Sequence, residues 1–254
     1  SFPTRRSSDL NQSRTLGEIC KCNLWLKFEN LQFTSSFKDR GALNRLNALT
    51  AEQRPRGVIA MSAGNHAQGV AYACRHFGAR GTIFMPVTTP KQKIDKTKVF
   101  GGDAIEIVLT GDYFDQTLAA SQAFAAEHGA QFLAPFDSAD VIEGQATVGL
   151  EMLEQLGGAP DLVVLPVGGG GLAAGVTGVM APAAPDMRFA FVEPAGGASL
   201  RAANWAVIGI FLILAFAAIA AGRDFLMPVT LAVLLFFVFT PLRRLARRRG
   251  IPAA

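Results

Sequence analysis

The stretch Leu165-Pro-Val-Gly-Gly-Gly-Gly-Leu172 joins an apolar run, 161–167, to a helix-like segment, 172–180. A strand that passes through glycines into a helix exposes backbone N–H groups at the helix N-terminus, a ready seat for a phosphate. Glycine is needed there because a β-carbon would block close approach and positive φ. A second stretch, Ser36-Phe-Lys-Asp-Arg-Gly-Ala42, sets one lysine, Lys38, at the mouth of another helix. A phosphate cradle together with a single lysine points to a phosphorylated aldehyde cofactor held as a Schiff base. Each half also has an ordinary explanation, since glycine runs occur in plain turns and most lysines are solvated.

A third stretch, Ser62-Ala-Gly-Asn-His-Ala-Gln-Gly69, lies between a strand pattern at 57–61 and a helix pattern at 67–77. Around it the chain alternates. Residues 24–28 read as a strand and 37–49 as a helix. Further strands are predicted at 81–85, 103–108, 131–133, 161–167 and 188–193, and helices at 91–100, 113–128, 140–156 and 172–181. Alternation at this pace means βαβ units and a parallel sheet, an α/β fold.

The three stretches together resemble the fold-type II pyridoxal-phosphate enzymes, and within them the threonine ammonia-lyase (threonine dehydratase) family. The resemblance runs from about residue 12 to about 200. It also takes in Leu24-Trp-Leu-Lys-Phe-Glu-Asn-Leu-Gln32, Met85-Pro-Val-Thr-Thr-Pro90, Phe100-Gly-Gly-Asp103 and Phe191-Val-Glu-Pro194. It implies two lobes with pyridoxal 5′-phosphate between them. The smaller lobe is about 55–155 and the flanking stretches form the larger. It implies a substrate such as L-threonine or L-serine, converted to a 2-oxo acid and ammonia, and it allows a homo-oligomer. Threonine consumption would serve isoleucine biosynthesis.

By the same resemblance Lys38 carries the cofactor and acts as general base at the substrate α-carbon. Asn65 hydrogen-bonds the ring oxygen. Gly168, Gly169, Gly170, Gly171 and Leu172 hold the phosphate. The turn of Ser62, Ala63, Gly64, Asn65 and His66 offers N–H groups to the substrate carboxylate. Plainer roles stand beside these: Asn65 closing an Asx-turn, Ser62 capping a helix, His66 as a hydrogen-bonded strut rather than a base. His76 and His128 fall late in predicted helices, where a charge role suffices. Glu193 resembles a cation-ligand position of some relatives, but Gly197 and Ser199 stand where an acid is expected, so no metal is assigned. His66 and the unbroken glycine run resemble dehydratases more than cysteine synthases. Ala63 stands where serine racemases usually have serine.

The net charge of +4 is unevenly spread. Residues 201–254 hold seven arginines and one acid, Asp224, which leaves −2 for the first 200 residues. The positive excess sits beside apolar segments, so a nucleic-acid partner is not indicated. Cys20, Cys22 and Cys74 lack the spacing of the usual zinc pairs and read as reduced thiols. No secretory signal peptide is visible.

Residues 1–10 have no apolar period and look like translated adapter sequence, a non-native tail. Residues 202–222 and 225–242 carry no charge, each about long enough to cross a bilayer at roughly 1.5 Å per residue. With Arg223-Asp224 between them, they predict a tight transmembrane hairpin through 205–242, with Trp205 as an interface anchor. Arg243, Arg244, Arg247, Arg248 and Arg249 place its end, and with it the enzyme-like region, in the cytoplasm. Ala221-Gly-Arg-Asp-Phe-Leu-Met-Pro228 and the segment from Thr240 resemble the opening of the autoinducer exporter-like membrane family. The expected organisation is a truncated lyase-like domain over 11–200 followed by a hairpin over 201–254. Three readings stay open: an active lyase with a membrane tether, a membrane component carrying an inactive remnant, and a chimeric reading frame.

Overall fold

Continuous apolar runs mark the central strands. Val58-Ile-Ala-Met61 is buried at every position, as expected of a strand covered on both faces. The computed structural model describes residues 9–193. In chain order its elements are β1 (Leu10–Gln12), α1 (Arg14–Cys20), β2 (Trp25–Lys27), α2 (Lys38–Asn47), β3 (Val58–Met61), α3 (Asn65–Phe77), β4 (Gly81–Met85) and α4 (Lys91–Gly101). There follow β5 (Ile105–Leu109), α5 (Phe114–His128), β6 (Gln131–Phe132), α6 (Ala139–Leu156), β7 (Leu162–Pro166), α7 (Gly171–Ala183) and β8 (Arg188–Val192).

Four strands form a parallel sheet in the order β5-β4-β3-β6, and β7 and β8 form a second parallel pair. β1 and β2 pair antiparallel. The α/β alternation predicted from sequence is therefore present. Under the four-stranded sheet, Leu43, Leu46, Val58, Val70, Ala73 and Leu133 form one core. A second core, Val148, Met152, Val163, Leu165, Val176 and Met180, joins α6 and α7 to β7.

Differences from the sequence expectation lie at the edges. Asp9 and Leu10, assigned from sequence to the tail, take part in the β1–β2 pairing, and Phe28 N donates to Asp9 O at 3.0 Å. The predicted helix at 172–181 runs on through Pro182 to Ala183. His128 ends α5 and its Nδ1–H donates to Phe124 O at 3.0 Å; His76 stacks on Tyr72 in the last turn of α3. The contacts divide the chain into two units, Ser1–Pro194 and Ala195–Ala254. The charge-free runs at 202–222 and 225–242 and the arginine cluster lie outside the described residues. Among the described residues, no helix is long and apolar enough to cross a membrane. Nor, among them, is there a group of three or more metal-ligating side chains.

Candidate active site

The strand order places the site. The sheet grows from β3 through β4 to β5, and the chain then returns to add β6 on the other side of β3. In open parallel sheets, ligands bind at such a switch point, beyond the carboxyl ends of the strands. Two loops meet there. The loop after β3 holds Ser62, Ala63 and Gly64, with Ser62 Oγ accepting from Gly64 N at 3.1 Å. The loop after β6 is Leu133-Ala-Pro-Phe136. Asn65, the first residue of α3, is exposed, whereas His66 is only 5% exposed. The His66 Nε2–H donates to Leu133 O at 3.1 Å, so the ring ties the two loops together. Burial, aided by the nearby Lys38 charge, lowers its pKa to about 4 against the opposing Leu133 bond. A buried, hydrogen-bonded imidazole suits a strut, one of the two roles considered from sequence.

Lys38 is the first residue of α2. Ser35, in the left-handed region at φ 62°, turns the chain into the helix. Ser36 Oγ then accepts from Lys38 N at 3.2 Å. Asp39 reaches back to accept from Thr34 N at 2.8 Å and from the Thr34 hydroxyl. Gly69 of α3 lies directly over this turn, because a β-carbon there would come within 3.1 Å of the Lys38 carbonyl. The Lys38 side chain donates to Pro135 O in the loop after β6. Burial lowers its pKa, and the N-terminal end of a helix dipole also disfavours the cation. The result is an amine biased toward its nucleophilic form.

The glycine run follows β7. Gly170, at φ 83°, is the N-cap of α7, and Gly171 is its first residue. The first amides of any helix have no intrahelical acceptor, so those of Gly171, Leu172 and Ala173 can bind an anion. Open space lies where β-carbons of Gly168 and Gly170 would project. The other two glycines are backed by one residue: a β-carbon at Gly169 would collide with the Phe136 ring, and one at Gly171 would lie 2.5 Å from Phe136 O. The 133–136 loop thus touches all three predicted parts: His66 through Leu133, Lys38 through Pro135, and the glycine turn through Phe136.

Helix α6 holds two of these parts in register. A β-carbon at Gly144 would lie 2.5 Å from Arg40 O in α2, and one at Gly175 in α7 would lie 2.6 Å from Ile142 O. A buried charge network reinforces the α2 side. Arg40 donates to Glu151 Oε1 and Oε2 at 2.7 and 2.8 Å, and to Glu29 Oε2 and Oε1 at 2.7 and 2.8 Å. Lys27 Nζ meets Glu151 Oε2 at 2.7 Å and Gln155 Oε1 at 2.7 Å. Burial would raise the Glu151 pKa, but its bonds from Arg40 and Lys27 outweigh that and hold it at about 2. Burial likewise works against the Arg40 charge, and the bonds to Glu151 and Glu29 overcome it, so its pKa rises.

The family model of the pyridoxal-phosphate dependent enzymes matches residues 2–207. The chain belongs to that family. The match extends beyond 11–200 at both ends. The chain is 49% identical to the biosynthetic L-threonine dehydratase of Corynebacterium glutamicum over 191 residues, 74% of this chain and 44% of that protein. Among solved structures it is similar to the processed form of threonine deaminase isoform 2 from Solanum lycopersicum, at 40% identity and a TM-score of 0.72, covering 77% of this chain and 56% of that one. It is also similar to maize serine racemase, at 33% identity and a TM-score of 0.71, covering 75% and 57%. The chain therefore spans about half the length of the curated relatives it matches.

The residues present fit the family's cofactor. The amine of Lys38 is desolvated and faces a carbonyl rather than a carboxylate. The glycine turn leaves two open faces in front of helix amides. The structure brings together Lys38, the 62–66 turn and the glycines, the parts expected from sequence, and adds Pro135 and Phe136, which sequence reasoning did not name. The available signal was a proline and an aromatic directly after a strand, ahead of the helix that starts at Ala139.

Proposed function

We propose that this chain carries the cofactor-binding part of a pyridoxal-phosphate-dependent ammonia-lyase acting on L-threonine or L-serine. The observation that carries the reading is the junction of Lys38, the 62–66 turn and the glycine run through one loop, 133–136. Similarity to threonine dehydratases supports the reaction class. When bound, pyridoxal phosphate supplies an electron sink for the pair released at the substrate α-carbon. The amides at the start of α7 bind the phosphate and Asn65 orients the ring. The N–H groups of the 62–66 turn bind the substrate carboxylate. Lys38 takes the α-proton as general base, a role suited to its lowered pKa. We read 55–155 as the smaller of two lobes around this site.

We further assign 205–242, by its composition and its exporter-like resemblance, to a membrane tether with a cytoplasmic basic end. Carbonate extraction of membranes from expressing cells checks this, and release of the chain into the soluble fraction would remove the tether.

The function is tested with the purified full chain and pyridoxal phosphate. The reading expects borohydride to fix the cofactor on Lys38, seen by peptide mass spectrometry, and L-threonine to yield 2-oxobutanoate. Wild type that traps no more cofactor than Lys38→Ala would overturn it.

A further inference from the structure

We propose that Pro135 and Phe136 are positioning residues that set the distance between the Lys38 amine and the glycine turn. This inference rests on the function proposed above. The Pro135 carbonyl accepts the Lys38 amine, and the very next residue seats its ring on Gly169 and its backbone on Gly171. Two adjacent residues therefore span the site from the group that meets an aldehyde to the amides that meet a phosphate. Phe136 is 38% exposed and belongs to none of the hydrophobic cores, which leaves the glycine turn as the contact that seats its ring. The loop is held from behind as well, through the bond of His66 to Leu133 O.

The physical consequence concerns a ligand with two ends. A molecule gripped at its aldehyde and its phosphate gains effective concentration for the second contact only if the spacing of the two grips is fixed. Removing the ring frees the turn to shift relative to Lys38. Each grip survives, but their cooperation is lost.

The test compares two probes on the full chain: pyridoxal 5′-phosphate, which has both ends, and pyridoxal, which lacks the phosphate. Schiff-base absorbance is titrated with each for wild type, Phe136→Ala and Phe136→Tyr. The expected wild-type preference for the phosphorylated probe falls about tenfold or more in Phe136→Ala, while the pyridoxal constant stays within about twofold. Phe136→Tyr, which keeps the ring, retains the preference. If Phe136→Ala does not fold, Phe136→Leu carries the test, with a loss of at least about threefold expected in the same ratio. An unchanged ratio, or a parallel fall for both probes, overturns the positioning role while leaving the proposed function intact. Wild type that forms no Schiff base with either probe overturns both together.

Discussion

Replacing Glu151 by glutamine keeps the shape of the side chain and removes its charge. Glu151 is 1% exposed and accepts three short bonds, two from Arg40 and one from Lys27. Its pKa is held at about 2 against an ordinary 4.5. At roughly 1.4 kcal/mol per unit, that depression corresponds to about 3 kcal/mol of native-state stability. Removing one partner of a buried pair costs about 3–5 kcal/mol in general, so the two routes agree. Glu29 still pairs with Arg40, and Gln155 with Lys27, which favours the lower figure. A folded-state pKa below the unfolded value gives stability that is present above about pH 4.5 and is lost as pH falls toward 2. Urea unfolding of the full chain followed by circular dichroism should show Glu151→Gln weaker by about 3 kcal/mol at pH 7. The gap should narrow progressively below pH 4.5. A gap under about 1 kcal/mol at pH 7, or one that stays constant into acid, would refute the network as a source of stability.

Two more outcomes follow from the same geometry. His66, lowered from 6.5 to about 4 by burial, binds fewer protons folded than unfolded between those values; its contribution is complete above pH 6.5 and drains away toward pH 4, by about 3 kcal/mol. His66→Gln should flatten the stability profile across that window, and an unaltered slope would mean that the ring is not buried neutral. At the α2–α6 crossing, Gly144→Ala places a β-carbon 2.5 Å from Arg40 O and should cost about 1–3 kcal/mol by overpacking. A thermal melt would read this as a fall of several degrees, and an unchanged midpoint would mean the two helices do not meet there.

The parts of the proposed site that were suggested by sequence are those whose chemistry resides in residue type. Lys38 stands out as an amine at a helix start, and the four glycines as a turn in which Gly170 has positive φ and Gly169 and Gly171 leave no room for a β-carbon. The start of α3 was read two residues late, because Asn65 and His66 look like turn residues yet already form the first turn of the helix. Of the early elements, β2 was read as a strand at 24–28, whereas α1 and β1 were not read, for a different reason. α1 buries no residue and contains Gly17. It ends at Lys21 in the left-handed region, φ 54°, without the expected glycine. β1 spans three residues, Leu10–Gln12, too few for an alternating pattern to show. The bonds of the 133–136 loop to His66 and Lys38 left no signal because they use the carbonyls of Leu133 and Pro135, and every residue has a carbonyl; only Phe136 meets the glycines through its side chain.

Lys38, Asn65 and Gly171 are each the first residue of their helix. The close approach of Gly69 to Lys38, the Lys38 bond to Pro135 and the seat of Phe136 on the glycines bring the three N-termini to one place. Each contributes a partial positive charge, and in α2 the first amides are already taken up by Ser36 and Phe37. Neither α3 nor α7 has an acid in its first turn, and the acid of α2, Asp39, is turned back onto Thr34. The field is therefore left for a ligand. Such a field favours anions, as the proposed binding of a phosphate and a carboxylate needs, and it adds to the lowering of the Lys38 pKa by burial. Under the proposed function, one arrangement would attract both anions and push the amine toward its neutral form, without a single arginine in the glycine turn.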